Sequence, residues 1–277
     1  MLRLTALAAL LITLAGCSAD DAPDAIPDEP VAVASAEDLT RRMAARFEDS
    51  FGDAEQFTVL AGGFRSTYTL NPDTSQMERF LLTMTPTDSA STDPSVQMLV
   101  QSHLPNVPLL ADGFREAPMS GPFERDGVPV YMLESDQAGA TVGIPDAGGA
   151  AGGATMRLYV DARTFDIREI YRSVPVDSLD RPITMRILYS DFRTTDGVRI
   201  PRQLRQIQSG FDQFYSESDR IVQGGQLGLQ KQQLQSAPPS SERDAQIAEI
   251  DRVLRSINDG VEDTEVTVSS VVVGGED

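Results

Sequence analysis

The sequence predicts an α+β fold built on a long, mostly antiparallel sheet. Short runs rich in β-branched and aromatic residues recur along most of the chain, separated by glycine, Asn-Pro-Asp and Asp-Gly turns. Two stretches, near 35–51 and 93–104, carry apolar residues at helical spacing instead. A pair of helices about Pro238-Pro239 stands before a last strand. Helices and strands are thus segregated rather than alternating, which is the α+β arrangement.

The chain opens with Met1-Leu2-Arg3, and Leu4 to Ala15 is then apolar except for Thr5 and Thr13. About a dozen apolar residues are too few to span a bilayer, which needs about 20. A charged start, a short apolar run and small residues after it describe a secretory signal peptide over 1–16. Leu14-Ala15-Gly16-Cys17 resembles the lipobox of bacterial lipoproteins and holds the single cysteine of the 277 residues. That resemblance implies cleavage before Cys17, acylation of its thiol and amino group, and a membrane partner reached through the lipid. Ser18, where aspartate marks inner-membrane retention, implies the outer membrane. The expected location is therefore exported, lipid-anchored and facing the periplasm. With one cysteine no intrachain disulfide is available, and an exported domain must rely on its core. Residues 17–35 follow as an acidic, proline-containing tether that lacks large apolar side chains.

The domain is expected over 36–277. Ser35 with Asp38 three residues later reads as a capping box, and Leu39, Met43 and Phe47 form one helical face. Strands are expected at 57–62, 64–70 and 77–85. Asp93-Pro94 starts a second helix with Val96, Leu99, Val100 and Leu104 inward, and Pro105 stops it. Hairpins follow over 121–136, turning at Asp126-Gly127, over 156–174, turning around Ala162–Phe165, and over 183–208, turning at Asp196-Gly197. Between the first two lies the Gly/Ala-rich loop 137–155. The helix pair runs from 215 to 260, its second member striped by Ile247, Ile250, Val253, Leu254 and Ile257, and 264–273 is the closing strand.

The formal net charge is −19, with 42 acidic and 23 basic residues. Phosphate backbones need clustered Lys and Arg, so nucleic acid is excluded as a partner. Catalytic material is thin. There is one histidine, no Trp and no G-x-S-x-G. His103, near the end of the second helix, is expected half-exposed and without a catalytic role. Asp161 with Asp166, and Asp191 with Asp196, bracket hairpin turns, where Asp bonds the local backbone. The glycine-rich loop lacks a phosphate-binding signature, no calcium loop occurs, and one His without free Cys makes no zinc site. No enzyme activity, cofactor or metal is expected.

Residues 158–204, "LYVDARTFDIREIY…MRILYSDFRTTDGVRIPRQL", resemble the outer-membrane lipoprotein-sorting superfamily, which includes LolA- and LolB-like carriers and lipid-transfer lipoproteins. The shared features are a strand ending in Asp161, a turn, a charged return strand, and Tyr189 to Pro201. The helix pair and the glycine-rich loop depart from the pattern. The resemblance implies a curved, unclosed half-barrel whose mouth is closed by helices, with acyl chains held between sheet and helices. Cavity or lid candidates are Leu39, Met43, Phe47, Phe80, Leu82, Met84, Leu99, Tyr131, Leu133, Leu158, Ile187 and Tyr189. Strands apolar on both faces, as at Val130–Leu133 and Ile187–Tyr189, suit a carrier but also suit a filled core. Two functions remain: a membrane-anchored envelope lipoprotein that binds or transfers lipid or lipoprotein acyl chains, or a non-enzymatic interaction lipoprotein whose helix pair meets an envelope protein partner.

Overall fold

The Ser35 hydroxyl accepts the Asp38 N–H at 3.2 Å and starts helix α1, Ala36–Asp49. The computed structural model describes residues 27–72, 79–87, 94–136 and 153–274. The leader, Cys17, the first part of the tether, the Asp93 cap and most of the glycine-rich loop lie outside the described residues. The later tether already touches the domain. Val31 donates its N–H to the Ala162 carbonyl at 2.7 Å, and its own carbonyl accepts the Tyr131 hydroxyl at 3.0 Å.

Ten strands form one antiparallel, open and curved sheet. In chain order they are β1 (Gln56–Ala61), β2 (Phe64–Leu70), β3 (Phe80–Pro86), β4 (Met119–Arg125), β5 (Val128–Ser135), β6 (Thr155–Asp161), β7 (Ile167–Val174), β8 (Ile183–Thr195), β9 (Val198–Ser209) and β10 (Val261–Val273). Their order in the sheet is β3-β2-β1-β10-β9-β8-β7-β6-β5-β4. Only β10 sits out of sequence. It pairs with β9 over Val261–Thr267 and with β1 over Val268–Val273, so each half of one strand holds a different leaf of the sheet.

Helices α2 (Pro94–Gln101) and α3 (Val107–Gly113) connect β3 to β4, the two opposite edges. A connection between opposite edges must cross the sheet, and here it crosses the hollow face with α1 beside α3. The cross-strand row Leu133–Leu158–Ile170–Ile187 lines that face. It joins Leu39, Met43, Leu99, Val107 and Leu110 in one buried cluster. At roughly 1.5–3 kcal/mol for each fully buried large side chain, this layer dominates the favourable side of folding. Gly62, at φ +55 in the β1–β2 turn, allows α2 to lie close: a Cβ there would stand 2.6 Å from Val96 Cγ1.

The outer face is built from polar ties. The row Tyr159–Glu169–Leu188–Arg205 runs along it. Glu169 accepts from Arg125 (2.9 and 3.1 Å) and from Arg186 (2.6 and 3.1 Å). Its side chain is 3% exposed. The outward apolar residues Met132 and Leu188 are half-buried within this layer, which accounts for strands apolar on both faces.

Helices α4 (Glu217–Ser236) and α5 (Ser241–Asp259) form the inserted pair, entered through a 3-10 turn at Phe211–Phe214 that the sequence pattern did not predict. Ile250 and Ile257 of α5 are buried, and Arg252 reaches Glu262 on β10. No residue of α4 is buried. The insertion begins and ends at one place. Ser209 pairs with Val261, and Gly210 N–H donates to Gly260 O at 3.1 Å. Both glycines have positive φ, 96° and 66°.

Removing 211–259 would therefore leave Gly210-Gly260 as a two-residue hairpin turn between β9 and β10. We expect this shortened chain to keep its β circular dichroism and melt cooperatively, with Tm lowered by no more than about 10 °C. Loss of the sheet signal would make the pair part of the core.

Candidate functional site

The hollow face meets its helices most loosely around the α2–α3 link. Helix α2 ends at Gln101, Pro105 prevents its continuation, and the Asn106 side chain accepts the Leu109 N–H at 3.2 Å to begin α3. Two hydrogen bonds fasten the link to the sheet. The Tyr189 hydroxyl donates to Ser102 O at 3.0 Å, and His103 Nε2 lies 2.9 Å from Pro201 O.

Two cavities flank this link and share the wall Phe47–Leu104–Pro105. The inner one has a volume of about 50 Å³ and is lined by Met43, Phe51, Val107, Ile167, Tyr189, Phe192 and Pro201, with Arg46, Asp166 and Arg199 at one side. The outer one has a volume of about 200 Å³ and is lined by Tyr68, Phe80, Leu82 and Asn106, with Arg79 at its rim. Both fall below the roughly 300 Å³ at which small-molecule pockets begin. Larger recesses exist, but charged side chains crowd their walls. One of about 460 Å³ lies on the outer face among Arg125, Arg186, Arg205 and Glu169. Another of about 640 Å³ lies among Asp112, Arg115, Glu116 and Glu134. The first pair carries fewer charges by comparison, with Arg46, Asp166 and Arg199 in the inner cavity and Arg79 alone among the charged residues lining the outer.

The charged side of the inner cavity is closely tied. Arg199 Nη1 donates to Asp166 Oδ1 at 2.6 Å, and Arg46 Nε approaches the same oxygen at 3.5 Å. Thr164 Oγ1 holds the other oxygen at 2.6 Å. The Phe192 ring lies between the guanidiniums of Arg199, at 4.9 Å, and Arg168, at 5.3 Å. Arg168 is in turn held by Asp161, whose Oδ1 also accepts the Arg163 and Thr164 N–H groups. Asp161 thus does the local backbone bonding expected of it and also anchors Arg168, whereas the Asp166 carboxylate is engaged by the side chains of Thr164 and Arg199.

Most of the expected cavity or lid residues are in the core. Leu39, Met43, Leu99, Tyr131, Leu133, Leu158, Ile187 and Tyr189 are buried, and Phe47, Phe80 and Met84 are partly buried against them. Leu82, on the edge strand β3, is exposed and borders only the outer cavity. The link itself brings together Phe47 and Tyr189 on one side and Phe80 and Leu82 on the other. Leu39, Met84, Leu99, Tyr131, Leu133, Leu158 and Ile187 line neither cavity.

Sequence reasoning missed Tyr68, Arg46 and Arg199, and it misjudged His103. The histidine is 1% exposed rather than half-exposed, because the link after α2 turns inward onto β9. Its second ring nitrogen, the Tyr68 hydroxyl and the Ser66 hydroxyl are buried without a hydrogen-bond partner in the protein. Burial lowers the His103 pKa to about 4, and burial pushes the Tyr68 and Tyr189 hydroxyls upward. A neutral imidazole beside two protonated phenols makes a polar but uncharged patch under the link. Among the described residues no group of His, Cys, Asp or Glu is placed to hold a metal ion.

No protein-family model matches the chain, and no curated protein or solved structure is similar enough to match it.

The His103 shift has a sign. Its ring is less basic in the folded protein than at its ordinary value of 6.5, so the unfolded chain takes up the proton first. Its contribution is complete above pH 6.5 and drains away as pH falls toward about 4. In urea unfolding at pH 7 and pH 4.5, we expect the parent protein to lose about 2–3 kcal/mol more than His103→Gln. Equal losses would refute the buried neutral state.

Proposed function

We propose that the protein is a membrane-anchored envelope lipoprotein that binds lipid or acyl chains between its curved sheet and the helices over it. The observation that carries this reading is the pair of cavities that share Phe47, Leu104 and Pro105 in their walls, beside a link fastened by two hydrogen bonds. Each such bond contributes about 0.5–1.5 kcal/mol net. Lifting the link therefore costs little beside the burial that an acyl chain brings, at about 0.8 kcal/mol per methylene. Phe47 and Leu104 then swing aside and the two cavities become one apolar hollow. The mechanism is exchange of one apolar occupant, the protein's own side chains, for another, with no bond made or broken. The Leu14–Cys17 segment adds the anchor in this reading, and two acyl chains suffice for stable membrane attachment. The likeness of 158–204 to lipoprotein-sorting carriers supports it as an analogy.

A second reading has its own observation. Helix α4 packs chiefly on α5, and it leaves Ile221, Val222 and Leu229 exposed, with Phe214 exposed just before it. Between Arg220 and Lys231 the helix carries no charge. In this reading the core stays filled and the outer helix meets an envelope protein. Affinity capture from solubilised envelopes separates the two. A partner held by the full chain and lost on removal of 211–259, with no lipid in the purified protein, would favour the second reading.

The chain contains no Trp, so Phe47→Trp gives one reporter in the shared wall. We expect a stearoyl chain brominated at mid-length to quench its fluorescence saturably at micromolar concentration, and native lipid to co-extract with the purified protein at near one per chain. An unquenched reporter together with lipid-free protein would overturn the acyl-binding reading.

A further inference from the structure

The charges around the inner cavity run against those of the chain. The whole sequence has 42 acidic residues and 23 basic ones. The charged groups lining this cavity are two arginines, Arg46 and Arg199, and one aspartate, Asp166. Just behind them Arg42, paired with Asp38, lies over the Phe165 ring at 5.3 Å, and Arg168, paired with Asp161, lies over Phe192 at 5.3 Å, so these four arginines outnumber their aspartate partners by one. An apolar cavity with an arginine-rich side is unneeded for a neutral chain, and desolvating those groups against hydrocarbon would cost free energy. It is complementary to an apolar chain that ends in a negative charge.

The access is right for such a ligand. Arg199 is 5% exposed and fixes the inner edge, whereas the Arg46 side chain is 31% exposed and stands at the opening. Both point at one oxygen, Asp166 Oδ1. A guanidinium has five N–H donors, so it can serve more than one acceptor, and its planar fork matches a carboxylate. The opposite side of the cavity, at Phe47 and Leu104, leads through the shared wall to the outer cavity. Beyond that wall lie Phe80 and Leu82, where a hydrocarbon tail has room to extend.

We propose that the ligand is a monoanionic amphiphile, a single long acyl chain ending in a free carboxylate, bound with the carboxylate at Arg46 and Arg199 and the chain running past Phe47 under the α2–α3 link. The inference rests on the acyl-binding reading and narrows it from acyl chains in general to free fatty acids. Neutral acyl esters enter the same hollow but lack the charged contact. Anionic diacyl phospholipids carry the charge but bring a second chain, for which cavities of about 50 and 200 Å³ leave little room.

The test uses the purified protein carrying the Phe47→Trp reporter, titrated with dibromostearic acid and, separately, with its methyl ester. We expect the acid to bind about tenfold or more tightly than the ester, as charge-assisted contacts allow. Arg46→Gln should bring the acid down to the affinity of the ester measured on the same variant, and preserve the circular dichroism spectrum. Arg46→Lys should restore part of the preference. Equal binding of acid and ester would overturn this inference and leave acyl binding intact. A preference that survives Arg46→Gln would overturn the placement of the carboxylate. Binding of neither compound would overturn the acyl-binding reading and this inference with it. If Arg46→Gln fails to fold, the acid-to-ester ratio of the parent decides: a ratio that collapses in 1 M salt supports the charged contact, and a ratio near one rejects it.

Discussion

The structure depends on β10. Strands β1–β3 make one antiparallel leaf and β4–β9 make another, and the described strands are joined between these leaves only through this last strand. Its first half pairs with β9 and its second half with β1, with a register irregularity at Leu60/Ala61 where the pairing moves on. Neither leaf alone presents a face broad enough to bury α1, α2 and α3. Once β10 is in place, Val266 and Val268 connect the leaves and helix α2 lies across β10, β2 and β9. The strand that completes the sheet is thus the one farthest in sequence from its partner β1, and the hollow exists only once that long-range pairing has formed.

An open sheet this wide has one apolar face and cannot bury it by closing on itself. The chain solves this with the connection between the edge strands β3 and β4. A direct loop between opposite edges would leave the hollow wet, whereas α2 and α3 fill it with Leu99, Val100, Val107 and Leu110. The outer face is stabilised differently. Glu169 between Arg125 and Arg186 is buried and fully engaged, so its removal would strand two guanidiniums in a half-buried layer. The β4–β5 turn is held down by that contact, which keeps an edge hairpin from peeling away. One face therefore rests on exchangeable apolar packing and the other on fixed polar geometry. Adaptability belongs to the first.

Much of the architecture was legible because its signals are local. Asp126-Gly127 and Asp196-Gly197 are turns with positive φ, as such pairs require, and the strands on either side follow from them. The Ser35 hydroxyl caps α1 at the Asp38 N–H as the spacing implied, while the Asp38 carboxylate accepts from Arg41 and Arg42 rather than closing the box. Helix α3 was not foreseen, since Pro105 and Pro108 around Asn106 read as the end of a helix rather than the start of another. The sheet order was not legible either, because no local pattern says that β10 returns between β1 and β9. The charged side of the cavity was invisible for the same reason: Arg46, Asp166 and Arg199 come from α1, the β6–β7 turn and β9, and nothing in their own segments links them. His103 failed differently. A polar residue at a helix end usually meets water, and only the inward turn of the link places it against Pro201.

These facts bear on which part of the molecule can yield. The helices α1 and α2 each bury an apolar stripe on the sheet, so displacing either exposes several large side chains at once. The link 102–106 exposes far less when it moves. It is bounded by Pro105 and the Asn106 cap, which let it pivot without unwinding either neighbouring helix, and it is tied by Tyr189 and His103 alone among the described side-chain hydrogen bonds to the sheet. Beneath it lie Tyr68 and Ser66, whose hydroxyls are buried without protein partners, so the closed position leaves polar groups unsatisfied at roughly 1–3 kcal/mol each wherever water does not reach them. The closed state is therefore stabilised mainly by the packing of Phe47 and Leu104. In the acyl-binding reading proposed above, a chain would offer the same kind of contact to the same surfaces, so it would compete with Phe47 and Leu104 on nearly equal terms and the hollow would widen as those side chains gave way.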